Sequence, residues 1–289
     1  MNTQNSRNKQ SGFTLIELSI VLVIIGLIVG GVLVGQDLIK AAEVRATITQ
    51  IEKYNTSVRT FQGKFGGLPG DLVASTAAQY GIFDLTTVGG TAGFGDGNGL
   101  IEGGAAGSSA FLGEPAVFWK HLTDAGLADG NYGTNLVKAT GASASQSIAG
   151  TYIPAAKLAR GNSFTVASSN GFNYYFIAGL GSATQITIAT GVYAAGTNNL
   201  TPQEGQNIDA KVDDGKPFSG SVTALNAINP LSTAANIVSP TVSGTIYTVT
   251  ATAGTAANCA TGTAATNAVA DTYNVRLASP ACSLRIRFN

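Results

Sequence analysis

Apolar positions near the N-terminus follow two regimes. Residues 13–35 are apolar almost without interruption, and Glu17 is the only ionisable side chain among them. A helix of that length spans a bilayer core of about 30 Å at about 1.5 Å per residue. From Gln36 the pattern becomes amphipathic, with Val44, Ile48, Ile51, Tyr54 or Asn55, Val58, Phe61 and Phe65 recurring at helical spacing. That predicts a single apolar stripe in need of a packing partner. Gly66 and Gly67, followed by Leu68, Pro69, Gly70 and Asp71, should end the helix.

Beyond residue 68 the signals are shorter. Glu114 and Pro115 open a predicted helix through Phe118, Trp119, Leu122 and Ala125 that stops at Gly126. It carries His121, the protein's single histidine, for which a surface or capping role is expected, since no nucleophile lies beside it. Strands are predicted over 163–167, 172–178 and 185–189, the first two joined by the tight-turn pair Asn170–Gly171. Thr201, Pro202, Gln203 and Glu204 fit a capping box opening a helix that carries Ile208 and Val212 and ends at Gly215. A further strand pattern lies at 245–250, inside a Thr-, Ala-, Ser- and Gly-rich stretch, 231–266, that reads as an exposed insertion. Leu284, Ile286 and Phe288 alternate with Arg285 and Arg287 as a half-buried strand closing the sheet.

Composition narrows the function. Only 11% of the chain is charged, so the head is no highly charged disordered tail, and residues 68–289 suffice for one sizeable core. Lys plus Arg and Asp plus Glu each number 16, and with no basic excess nucleic acid is not indicated as a partner. No metal-ligand cluster with zinc spacing, nucleophile elbow or phosphate loop is visible, so an enzyme is not expected. Asp96, Asn98 and Glu102, in the Gly-rich region 89–107, are candidate oxygen ligands for a structural calcium ion around a glycine-permitted turn. The spacing to Glu102 is too short for an EF-hand loop, and Asx–Gly clusters are commonly plain turns. The same two readings apply to Asp209, Asp213 and Asp214.

A carboxylate in lipid costs on the order of 3 kcal/mol, so Glu17 calls for a partner. Cleavage between Gly12 and Phe13 would supply one, the new α-amino group of Phe13. An ordinary secretory signal has an apolar region of only about 7–15 residues closed by a small-residue cleavage site. This run is longer, and no A-x-A pattern closes it. A plain membrane anchor leaves Glu17 unexplained. Gly12, Phe13, Thr14, Leu15, Ile16, Glu17 and Leu18 together resemble the prepilin signature of type IV pilins and of the pseudopilins of type II secretion.

The resemblance implies an α+β pilin-like fold: a long N-terminal helix, half membrane-spanning and half amphipathic, packed on an antiparallel β-sheet head. It divides the chain into a leader, 1–12, a membrane and filament-core helix, 13–35, its amphipathic continuation, 36–67, and the head, 68–289. It implies a prepilin peptidase that cuts after Gly12 and methylates Phe13, with Glu17 drawing each subunit into register in a homo-oligomeric helical filament. The remaining partner is a pilus or secretion assembly platform in the inner membrane, which holds the precursor before it enters an extracellular filament or a periplasmic pseudopilus. Arg7 and Lys9 fit a cytoplasmic leader. Many major pilins carry a proline in the first helix, whereas the chain from Phe13 to Gln62 has none. Gly30 and Gly31 are the soft point instead, since glycine weakens a helix by about 1 kcal/mol relative to alanine. Gly26, Gly30, Gly31 and Gly35 also give two G-x-x-x-G spacings, which permit close helix approach. Cys259 and Cys282, an even pair in an exported chain, predict a structural disulfide, and a C-terminal disulfide loop likewise resembles pilins. A membrane-anchored adhesin that never polymerises is the competing reading.

Overall fold

The computed structural model describes residues 14–82, 95–101, 114–132, 153–158, 160–169, 171–180, 196–197, 199–226, 259–261 and 272–288. Helix α1, Leu15–Phe65, runs 51 residues. It passes through Gly26, Gly30, Gly31 and Gly35, and among the described residues nothing beyond the chain neighbours and the helix's own nearby backbone lies within 4 Å of where a Cβ on any of them would stand. It stops where Gly66 takes a left-handed φ of 75° while its N–H still closes onto the Gln62 carbonyl at 2.9 Å. Leu and Ile side chains from Leu15 to Ile39 are exposed, and by length and composition this stretch is apolar enough to cross a membrane. From Val44 onward the stripe is buried, with Thr47, Ile51, Tyr54, Ser57, Val58, Phe61 and Phe65. Tyr54 rather than Asn55 takes the inward position. The chain forms two compact units, Met1–Ala42 and Glu43–Asn289, so the second half of α1 belongs to the head.

Inside the head, strands β1 (Asn162–Ser169), β2 (Phe172–Leu180), β3 (Gly196–Thr197), β4 (Val222–Asn226) and β7 (Cys282–Phe288) form one sheet. Its order is β1-β2-β7-β4, with β3 on β2, and every pairing is antiparallel. The β1–β2 hairpin turns through Gly171 at a φ of 77°, as the Asn-Gly signal predicts. The last strand, β7, lies inside the sheet between β2 and β4. A separate pair, β5 (Ala260–Thr261) and β6 (Thr272–Tyr273), makes a two-stranded ladder. The predicted strands at 185–189 and 245–250 lie outside the described residues.

Period-two alternation places Phe164, Val166, Tyr175, Ile177, Val222, Ala224, Leu284, Ile286 and Phe288 in one core with the stripe of α1. On the alternate positions Arg285 stacks over Tyr174 at 5.0 Å and Arg287 over Phe172 at 4.9 Å. Both outer strands are guarded. The Phe164 N–H donates to Pro154 at 2.9 Å, and the Ser168 N–H donates to Ile101 at 2.7 Å. On β4 the Val222 N–H donates to an Asp213 carboxylate oxygen at 3.2 Å, and the Ala224 N–H donates to Pro217 at 2.7 Å.

Three shorter helices complete the described head: α2 (Ala74–Tyr80), α3 (Glu114–Asp124) and α4 (Pro202–Val212). Helix α3 brings Trp119 to within 4.7 Å of the Tyr54 ring, and Phe164 of β1 meets the same ring at 5.3 Å. Helix α4 starts at the predicted capping box: the Thr201 hydroxyl accepts the Glu204 N–H, and Glu204 accepts the Thr201 N–H at 2.8 Å. Arg160 pairs with the same Glu204 carboxylate. Thr201→Ala should therefore cost about 1 kcal/mol, read as a lower denaturant midpoint at unchanged slope.

Candidate functional site

Thr14 precedes the first helical residue and Glu17 sits three positions on. The Thr14 N–H and hydroxyl each donate to Oε2 of Glu17 at 2.8 Å, while the Glu17 N–H reaches the Thr14 hydroxyl at 3.4 Å. This is a reciprocal capping box, two otherwise unsatisfied N–H groups met by two side chains. The Thr-x-x-Glu spacing before an apolar run signals it in the sequence, a signal masked when Glu17 is read only as a partner for the Phe13 amine. Among the described residues Oε1 of Glu17 has no hydrogen bond, so Thr14 engages half of the carboxylate. Gly12 and Phe13 lie outside the described residues. The side chains that follow, Leu18, Ile20, Val21, Leu22 and Val23, are exposed.

The Gly-rich loop is organised by acids other than those its sequence suggests. Asp96 and Asn98 hold each other in a turn: Asp96 accepts the Asn98 N–H at 3.0 Å and its side-chain amide at 3.1 Å, and Asn98 accepts the Leu100 N–H at 2.7 Å. Glu102 lies outside the described residues. Buried Asp71, which follows the end of α1, accepts the Gly97 and Gly99 N–H groups, both at 2.7 Å. Buried Glu114, opening α3, accepts the Gly95 N–H at 2.7 Å. Burial pushes the Asp71 carboxyl above its usual range, against the Gly99 and Gly97 N–H bonds that draw it down. One oxygen from each of Asp71, Asp96 and Glu114 lies within 4.8 Å of the others, and the same holds for Asp209, Asp213 and Asp214. No cation is assigned to either group.

His121 is not at the surface. It is buried, lies parallel to Phe61 at 5.9 Å, and its Nδ1 accepts the Gly70 N–H at 2.9 Å. The surface alternative fails because Gly70 brings the chain back over α3, a return that helical periodicity does not encode, while the imidazole does satisfy a backbone N–H. Gly70 has a φ of +89°, and a Cβ there would lie 2.6 Å from the Glu114 carbonyl oxygen. Gly70→Ala should destabilise the head by about 3 kcal/mol, through strain at positive φ and loss of the His121 bond. Equilibrium unfolding of the detergent-solubilised protein measures this.

Residues 7–33 match the family model of the prokaryotic N-terminal methylation motif. The chain carries the type IV pilin and pseudopilin signature. The match contains Gly12, Phe13, Thr14 and Glu17, and a membrane-capable helix follows directly in this pilin-type N-terminus. No curated protein and no solved structure matches the chain. The α+β pilin-like architecture of a long apolar helix packed with a small antiparallel sheet accords with the signature. At the other end Cys259 and Cys282 are joined, their Cα atoms 4.8 Å apart and both side chains buried. Closing a loop of 23 residues contributes about 3 kcal/mol in the chain-entropy model.

Proposed function

We propose that this protein is the structural subunit of a bacterial type IV pilus-like filament, assembled from the inner membrane after a prepilin peptidase cuts between Gly12 and Phe13 and methylates Phe13. The observation that carries this reading is the half-engaged carboxylate of Glu17 at the head of an exposed apolar helix. Thr14 supplies two donors to one oxygen, and the other is available to the α-amino group of a neighbouring copy or of the same chain. Packing of apolar helices against one another then holds copies together, and the carboxylate–amine contact sets their axial register. The role is structural, without catalysis.

The head is large for a major pseudopilin, which favours the external filament over a pseudopilus of type II secretion. Intact mass of protein sheared from the cell surface tests the reading. A chain beginning at Phe13 with one added methyl group, lighter by two hydrogens before reduction than after, is the expected result. A processed chain retained in the envelope and absent from the sheared fraction assigns it to a pseudopilus. An uncleaved chain overturns the proposal and leaves a membrane-anchored adhesin.

A further inference from the structure

The outward face of the sheet, opposite the α1 stripe, is closed along part of its length and open at one end. Its outward positions Thr165, Ala167 and Phe176 are buried. Toward the β1–β2 turn the face opens: Phe172 is 44% exposed, Tyr174 is half-buried and Arg287 is exposed. Tyr174 lies opposite Arg287 in the ladder, and Phe176 lies opposite Arg285. Each arginine leans one pair further toward the turn, Arg285 over the Tyr174 ring at 5.0 Å and Arg287 over the Phe172 ring at 4.9 Å.

The two guanidinium groups differ in what they offer a ligand. Arg285 is half-buried, and its Nε donates to the Thr223 hydroxyl at 2.6 Å. Arg287 is exposed and belongs to none of the ion pairs among the described residues. Its backbone N–H donates to the Ser221 carbonyl at 2.8 Å, so the strand is held without its side chain. Stacking on Phe172 restrains the plane of the fork, so little freedom remains to be lost when its N–H groups meet an anion. A planar carboxylate matches that fork through two parallel hydrogen bonds.

We propose that the open end of this face binds an acidic sugar, Arg287 taking the carboxylate and Phe172 and Tyr174 lying against the sugar ring. Size, charge and chemistry select this ligand. A stable protein interface takes about 20–30 residues a side, whereas here the face is already closed at Phe176. Nucleic acid is held through about 6–10 phosphate contacts, whereas the chain balances 16 basic against 16 acidic side chains and places one exposed arginine at this spot. One oriented cation beside an apolar ring and a phenol suits a ligand with one carboxylate, an apolar C–H face and hydroxyl groups. The site does not depend on how the chain assembles.

Calorimetric titration of the full chain in detergent tests it, with trigalacturonate as the probe and the same trisaccharide methyl-esterified at every carboxyl group as its uncharged counterpart. The acid should bind at least about tenfold more tightly than the ester. Arg287→Ala should bring the acid down to the level of the ester, and Arg287→Lys should recover only part of the difference, because an ammonium is a point charge without the fork. Phe172→Ala should weaken both forms. Lys211→Ala removes the same charge from α4, which meets β7 on its core side at Leu284, and should leave binding unchanged. Arg287, Phe172 and Lys211 are all exposed, so the variants keep the fold, which their unfolding midpoints verify. Equal binding of acid and ester overturns the proposal, as does full binding by Arg287→Ala, an equal loss in Lys211→Ala, or no binding at about 1 mM trigalacturonate. Tighter binding of a triglutamate peptide overturns it in favour of a protein partner, and tighter binding of a single-stranded oligonucleotide overturns it in favour of nucleic acid.

Discussion

Glu17→Ala should yield a chain that is processed and held in the membrane yet forms no filament. The substitution removes two things at once: the acceptor for both Thr14 donors, and the single charge in the apolar segment. Loss of the cap costs about 1 kcal/mol at the first turn of a long helix, too little to unfold it. The charge matters more, because pairing it with an amine in a medium as poor in water as lipid or a helix core offsets a desolvation cost of several kcal/mol per ion. Glu17→Gln separates the two roles, since glutamine serves at this position of a capping box but cannot pair as an anion. Loss of sheared filament in both variants, with processing intact in both, is the expected pattern. Normal filaments from Glu17→Gln would reduce Glu17 to a cap and remove the basis for register by charge pairing.

Tyr54→Ala should destabilise the head by about 3–5 kcal/mol, on the scale of other aromatic truncations in cores. Its ring is the point at which α1 meets three other parts of the head: Trp119 of α3 at 4.7 Å, Phe164 of β1 at 5.3 Å and Tyr175 of β2 at 6.2 Å. Its hydroxyl also accepts the Gln50 side-chain amide at 2.8 Å, and Gln50 in turn donates to the Ala155 carbonyl at 2.9 Å. Truncation therefore leaves a cavity walled by aromatic rings and weakens the polar tie between α1 and the approach to β1. A drop in the denaturant midpoint with little change in slope is the expected reading, with Tyr54→Phe retaining most of the stability because the ring contacts survive. A loss below about 1 kcal/mol in Tyr54→Ala would mean that the cluster closes over the gap.

Local rules reached much of this structure. The helical stripe from Val44 to Phe65, the Asn-Gly hairpin and the Thr201–Glu204 box each depend on residues within a few positions of one another, and each forms as its spacing dictates. The alternation of Leu284, Ile286 and Phe288 identified a half-buried strand but not its neighbours, β2 and β4, which lie far away in sequence. The loop at 95–101 shows the same boundary more sharply. Asp96 and Asn98 are close together in sequence and so mark the loop, whereas the carboxylates that bind its glycine N–H groups, Asp71 and Glu114, come from outside it on either side. His121 was misplaced for the same reason, its partner being a backbone N–H 51 residues earlier. At the N-terminus the converse holds: the spacing of Thr14 and Glu17 encodes their bond directly, but the same residues also form the more specific prepilin signature, which implies a different partner for Glu17.

The guarded edges of the sheet have a consequence for how copies of the chain can associate. A bare outer strand is a template on which another chain can add its own backbone. Here Pro154 and Ile101 occupy N–H groups of β1, and Asp213 and Pro217 occupy those of β4. Stitching one head to the next by strand addition is closed along these positions. In the proposed filament, cohesion would then come from the helices rather than from backbone pairing at these positions of β1 and β4. On the proposed filament reading, substitutions on the outer surface of the head away from these edges should leave subunit addition unchanged.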